Sequence, residues 1–136
     1  MSKDITTGKV TIATGRRKTA VAKVELLAGS GKVVVNDKPL DNYFAGLVRF
    51  QRAVLAPLEL VKVSTQYDVF ASVAGGGVMA QAEAIRHGIA RVLASIDGKF
   101  KTLIKKEGYL TRDDRMVERK KPGKAKARKS FQWTKR

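Results

Sequence analysis

Apolar and polar residues alternate over residues 8–14, Gly-Lys-Val-Thr-Ile-Ala-Thr, where Val10 and Ile12 stand against Lys9 and Thr11. A period of two marks a half-buried strand. Gly15-Arg16-Arg17-Lys18 reads as a turn. Residues 19–28 return to the same period, with Ala22, Val24 and Leu26 on one side and Lys23 and Glu25 on the other. Gly29-Ser30-Gly31 is a further break, and Lys32 to Val35 makes a short third strand closed by Asn36-Asp37. The period then lengthens. Pro39 to Leu55 brings Tyr43, Leu47, Phe50, Val54 and Leu55 near one side of a helix. Leu60 to Val73 is mostly extended and ends in an alternation of Tyr67, Val69, Ala71 and Val73 against Asp68, Phe70 and Ser72. The clearest helix runs from about Val78 to Ile96. Its apolar stripe is Val78, Ala82, Ile85, Ile89, Val92, Leu93 and Ile96, and Asp97-Gly98 stops it. A shorter helix from Lys99 to Lys106 ends at Gly108. Beyond Leu110 the apolar pattern fades, and the chain shows no internal repeat.

Strands joined by short turns, then helices with one strand between them, predict an α+β domain. The expected architecture is a mainly antiparallel four-stranded sheet with helices on one face, over residues 1–110. An extended tail, 111–136, follows.

Composition narrows the chemistry. The chain of 136 residues has no Cys and one His, which removes disulfide scaffolds, thiol nucleophiles, zinc knuckles and iron–sulfur sites. Hydrophobic residues at 43% suffice for a packed core. The longest uncharged stretch with an apolar character is too short and too Gly-rich to span a bilayer. The first residues, Met-Ser-Lys-Asp-Ile-Thr-Thr, resemble neither a secretory signal nor a transit peptide. A cytoplasmic protein with no membrane contact is expected.

Charge gives the strongest functional indication. There are 28 Lys and Arg against 12 Asp and Glu, a formal net charge of +16. From Arg119 to Arg136 the chain carries nine cations and no acid: Arg119, Lys120, Lys121, Lys124, Lys126, Arg128, Lys129, Lys135 and Arg136. That segment lacks Leu, Ile and Val. It cannot bury enough apolar surface to offset the entropy of ordering, so it is expected to take shape against a polyanion. Fully extended, it could reach about 60 Å. Phe131 and Trp133 lie among its cations, where flat rings suit stacking on nucleobases.

Several motifs suggest more than they support. Gly75-Gly76-Gly77-Val78-Met79-Ala80 matches the dinucleotide fingerprint G-x-G-x-x-A. Asp97 has the spacing of the ribose acid, but it follows a helix and not a second strand. The glycines instead suit a tight strand-to-helix turn, or a helix start that offers its N–H groups to a phosphate. Gly15-Arg16-Arg17-Lys18-Thr19 ends like a P-loop but lacks the Gly before the Lys. Three adjacent cations on a hairpin tip do make a phosphate clamp. His87 has no nucleophile or carboxylate partner and reads as structural or RNA-facing. The neighbours Asp113 and Asp114 point to opposite faces of an extended chain and lie among Arg112, Arg115 and Arg119. No catalytic constellation, metal site or cofactor site emerges. The expected ligand is nucleic acid, with a general nucleic-acid-coating protein and a nucleotide-binding protein as alternatives.

Gly15-Arg16-Arg17-Lys18-Thr19-Ala20-Val21-Ala22-Lys23-Val24 resembles the signature hairpin of the bacterial-type family of the ninth small-subunit ribosomal protein. Gly75-Gly76-Gly77 with Gln81 to Arg91 is similar to that family's helix. Leu110-Thr111-Arg112-Asp113, Arg115 to Lys121 and the final Lys135-Arg136 are similar to its tail. The likeness covers about Lys9 to Arg136. It departs at Thr134, where the family usually has Ser, and at Asp114, where it often has Pro.

The resemblance implies a fold like the second domain of the fifth small-subunit ribosomal protein, with a left-handed βαβ crossover that contradicts the general right-handed preference. It also implies binding to the 3′ major domain of 16S-type ribosomal RNA in the subunit head, beside neighbouring head proteins. Arg16, Arg17, Lys18, Gly75, Gly76, Gly77, Arg112, Arg115, Arg119, Lys120, Lys121, Lys124, Lys126, Arg128 and Lys129 would contact that RNA. Lys135 and Arg136 would meet the anticodon stem-loop of the peptidyl-site transfer RNA. No small-molecule substrate is implied.

Overall fold

The computed structural model describes residues 11–112, 115–116 and 119–129. Five strands form one sheet: β1 (Thr11–Arg17), β2 (Ala20–Ala28), β3 (Val33–Val35), β4 (Lys38–Pro39) and β5 (Tyr67–Ala74). Their spatial order is β1-β2-β5-β3-β4. The pairs β1–β2, β2–β5 and β3–β4 are antiparallel, and β3–β5 is parallel. The sheet is mixed and five-stranded: its pairs are mainly antiparallel as expected, but it has a fifth strand and one parallel pair. Two local signals account for the difference. Asn36 and Asp37 both take positive φ, 49° and 66°, the geometry of a tight hairpin turn, and this adds β4. The connection from β3 to β5 contains helices, so the chain can return parallel to its earlier strand.

Four helices complete the fold: α1 (Leu40–Tyr43), α2 (Val48–Leu60), α3 (Val78–Ile96) and α4 (Gly98–Lys106). The single helix expected over Pro39–Leu55 is interrupted, because Ala45 and Gly46 adopt φ of 50° and 74°. The second half extends to Leu60, so the extended stretch begins only at Tyr67. The limits of α3 agree with its hydrophobic period. Asp97 does more than end α3. Its carboxylate accepts from Lys99 N at 3.0 Å and caps α4.

The sheet has a covered face and an open one. On β2, Ala20, Ala22, Val24 and Leu26 are buried, while Val21 and Lys23 are exposed. Helix α3 lies over the covered face against β1, β2 and β5, with α2 and α4 packed on it. The core joins Val24, Leu26, Val69 and Val73 of the sheet to Ile85, Ile89 and Leu93 of α3, Val54 and Leu58 of α2, and Ile104 of α4. Each fully buried Leu or Ile contributes about 2 kcal/mol. Val78 and Ile96, at the ends of the expected stripe, are 49% and 38% exposed.

Helix α3 approaches β1 through backbone. A methyl group at Gly15 would lie 1.9 Å from the Ala84 carbonyl oxygen and 2.3 Å from Gly88 N. One at Gly88 would lie 2.5 Å from Val24 Cγ2. The first clash is with backbone on the partner element; the second is with a side-chain methyl that can shift. Gly15→Ala should therefore cost more than about 3 kcal/mol, and Gly88→Ala about 1–3 kcal/mol. Denaturant midpoints at unchanged m-value check the order, and an equal or smaller loss at Gly15 would contradict it.

Candidate nucleic-acid interface

The hairpin between β1 and β2 is tighter than the sequence suggested. Gly15, Arg16 and Arg17 belong to β1, and Arg17 pairs with Ala20, so the turn is only Lys18-Thr19. Lys18 has φ of 51°. Because strand side chains alternate, the three cations separate. Arg16 and Lys18 are exposed. Arg17 faces α3, where its Nε donates to Glu83 Oε2 at 2.6 Å and its Nη1 donates to the Arg115 carbonyl at 2.9 Å.

The glycine turn lies beside this tip. Val21 pairs with Ala74, which brings Gly75 against Thr19. Gly75 and Gly76 adopt φ of 78° and 69°, a region that side chains disfavour. A methyl on Gly75 would also lie 2.6 Å from the Thr19 carbonyl oxygen. These glycines answer a backbone requirement that the dinucleotide motif does not explain. Asp97, the candidate ribose acid, sits at the far end of α3 as a helix cap. The turn is braced from the body: Gln81 Nε2 donates to the Gly75 carbonyl at 3.1 Å, and Tyr43 Oη donates to Gln81 Oε1 at 2.5 Å. Asn36 makes a two-way amide pair with the Val73 backbone at 2.9 Å in each direction.

Helix α3 starts at this turn with no side-chain cap and no acid in its first turn. Gly75, Gly76 and Gly77 are exposed. The positive end of the helix dipole thus adjoins the Lys18-Thr19 turn, and an uncapped helix start next to an exposed lysine suits phosphate. Sequence reasoning missed Arg49, at the start of α2. Its guanidinium reaches Met79 Sδ at 3.8 Å and so stands beside the same helix start. Only the packing of α2 on α3 reveals it.

The third part of the interface is the start of the C-terminal arm. Arg16 N donates to His87 Nδ1 at 3.2 Å, which places the ring proton on Nε2, facing the Leu110 carbonyl at 3.2 Å. Burial lowers the His87 pKa below its ordinary 6.5; the Leu110 bond opposes this, and Arg91, Arg112 and Arg86 reinforce it. Arg86 stacks over the Tyr109 ring at 5.4 Å. Arg112, Arg115, Arg119, Lys120, Lys121, Lys126, Arg128 and Lys129 are exposed, and Lys124 is half-buried. Asp113, Asp114, Phe131, Trp133, Thr134, Lys135 and Arg136 lie outside the described residues.

A shallow cavity of about 130 Å³ between α2 and α3 is lined by Arg49, Phe50, Met79, Glu83 and Arg86, among others. Its single carboxylate is the one paired with Arg17. Among the described residues no group of three or more His, Cys, Asp or Glu could hold a metal ion. Among them, too, no helix is long and apolar enough to cross a membrane. What the arrangement offers is exposed cations and the free N–H groups of a helix start near the hairpin tip.

Residues 15–136 match the family described as ribosomal protein S9/S16. The chain belongs to that family. The small ribosomal subunit protein uS9 of Azobacteroides pseudotrichonymphae genomovar. CFP2 is 52% identical over 125 residues, which cover 91% of this chain and 96% of that protein. The S9/S16 family match takes in the hairpin, the glycine turn, α3 and the whole arm.

His87 gives this S9/S16 protein a measurable pH dependence. Its folded pKa lies below the unfolded value, so the folded state binds fewer protons and stability rises with pH. The contribution is complete above pH 6.5 and is lost as pH falls through the lowered folded value. The slope is at most about 1.4 kcal/mol per pH unit. Unfolding free energies at pH 7 and 5.5 should differ more for the unaltered chain than for His87→Gln. Equal differences would refute this assignment.

Proposed function

We propose that this protein is a structural constituent of the small ribosomal subunit, binds ribosomal RNA and catalyses no reaction. The observation that carries this is the convergence of the hairpin tip, the uncapped glycine-rich start of α3 and the start of the basic arm on one end of the body. The family membership of residues 15–136 and the net charge of +16 support the same reading. The RNA site comprises Arg16, Lys18, Gly75, Gly76 and Gly77 of the body and Arg112, Arg115, Arg119, Lys120, Lys121, Lys124, Lys126, Arg128 and Lys129 of the arm. Arg17 serves it from behind.

Residues 1–110 form the RNA-anchored body and 111–136 the arm. Recognition is of backbone and shape, because the deep groove of A-form RNA hides its bases from side chains. The RNA bound is the 3′ major domain in the subunit head, in the cytoplasm, with other head proteins as neighbours. By likeness to the family, the β3–β5 crossover is left-handed, and Lys135 and Arg136 hold the anticodon stem-loop of the peptidyl-site transfer RNA. A contact with phosphate and ribose suits that task, since transfer RNAs of every sequence pass there.

Deleting Thr134 to Arg136 should leave subunit assembly intact while weakening peptidyl-site transfer RNA binding or reading-frame maintenance. Filter binding and a frameshift reporter measure the two, and no change in either would sink the transfer RNA contact. For ribosomal RNA, Arg16→Gln and Lys18→Gln should each flatten the plot of log affinity against log salt by about one unit or less.

A further inference from the structure

Arg17 stands in the middle of the signature cations, yet its charge is directed inward. Its fork donates at once to Glu83 on α3 and to the carbonyl of Arg115 in the arm. Both side chains of the ion pair are mostly buried, at 14% and 19% exposure. A residue held in this way is poorly placed to meet a phosphate. Two further links bind the same stretch of chain: His87 Nε2 to the Leu110 carbonyl, and the Arg86 guanidinium over the Tyr109 ring. All three come from one face of α3, at Glu83, Arg86 and His87. Two of them also engage β1, through the Arg17 side chain and the Arg16 amide.

We infer that Arg17, Glu83, Arg86 and His87 form a clamp that holds the junction of body and arm, at Tyr109, Leu110 and Arg115, against the seam between β1 and α3, so that the arm leaves the body beside the β1–β2 hairpin. The inference rests on the RNA-binding reading above. It makes Arg17 a positioning residue where the sequence suggested a phosphate ligand. The guanidinium suits the role because one planar fork can serve a carboxylate and a carbonyl together, which an ammonium on a flexible stem does poorly. The benefit is entropic. An arm whose first residues are already placed loses less freedom on binding. Its cations also meet RNA held by the hairpin at a raised effective concentration.

The clamp and simple charge attraction predict opposite signs for one substitution. Glu83→Gln removes a negative charge from a polyanion-binding protein. If charge alone governed, binding would tighten. If Glu83 holds Arg17 in the clamp, binding should weaken, by about fivefold. The full-length protein and a transcript of the 3′ major domain of small-subunit ribosomal RNA are the materials. Backbone order parameters of the free protein provide a second readout. For residues 110–112 and 115–116 they should approach the body's value of about 0.85 in the unaltered chain and fall below about 0.6 in Glu83→Gln. Arg17→Lys should loosen the arm in the same way while leaving the salt slope unchanged, whereas Arg16→Lys should alter neither the order of the arm nor the slope. Order parameters of the sheet confirm that each variant is folded. Tighter or unchanged RNA binding by Glu83→Gln, or an arm start already mobile in the unaltered chain, would overturn the clamp. Failure of the unaltered chain to bind the transcript would instead overturn the RNA reading, and the order parameters would still decide whether the clamp exists.

Discussion

The contact of Gly15 with Gly88 sets the geometry of everything around it. Two backbones can lie this close only where neither carries a side chain, and an added methyl group would overlap atoms of the facing backbone or of Val24. Close approach lets α3 run alongside β1 for several turns. Polar groups then meet in order along the seam: Arg91 Nη1 to the Thr14 carbonyl, Arg16 N to His87, and Arg17 to Glu83. Move the helix outward by one methyl diameter and each of these bonds lengthens beyond use. The seam is thus held by packing at its centre and by hydrogen bonds along its length.

A chain of such high positive charge folds here without burying unpaired charge. No polar or charged residue among those described is fully buried. The interior is apolar, and the glycine turn is braced by neutral groups, Gln81, Tyr43 and Asn36, through bonds that need no ion. The cations are left to the surface, where water and counterions screen their repulsion until a polyanion replaces them. Among the described residues, the carboxylate of Glu83 stands near the interface and holds Arg17 inward. Strand alternation then sends Arg16 to the opposite face, and the turn leaves Lys18 exposed.

The local signals were readable at different strengths. The period of α3 marked its limits, because a helix between a sheet and two further helices must bury much of its surface. Ala80, Ala84 and Gly88 recur every four residues, a small-residue track on α3 whose purpose appears only when Gly76 and Gly15 are found opposite it. The pair Asn36-Asp37 marks a break without specifying a hairpin, since either residue also suits an open loop. Gly15 to Lys18 reads as a longer turn than the structure has, because Gly and Lys are poor strand formers and only the pairing with β2 overrides that preference.

From the chain alone came the α+β class, the extents of α3 and β2, the absence of thiol chemistry, the basic arm and the resemblance to a ribosomal family. These follow from composition and from periods of two and 3.6, which are properties of neighbours in sequence. Which cation faces RNA and which faces Glu83, where Arg49 and His87 stand, and how the arm is joined to the hairpin are relations between residues distant in sequence. Arg17 and Glu83 are 66 positions apart, and Arg17 and Arg115 are 98. No local pattern encodes such a meeting; it exists once α3 is seated on β1, and the seating depends on two glycines that carry no hydrophobic signal at all.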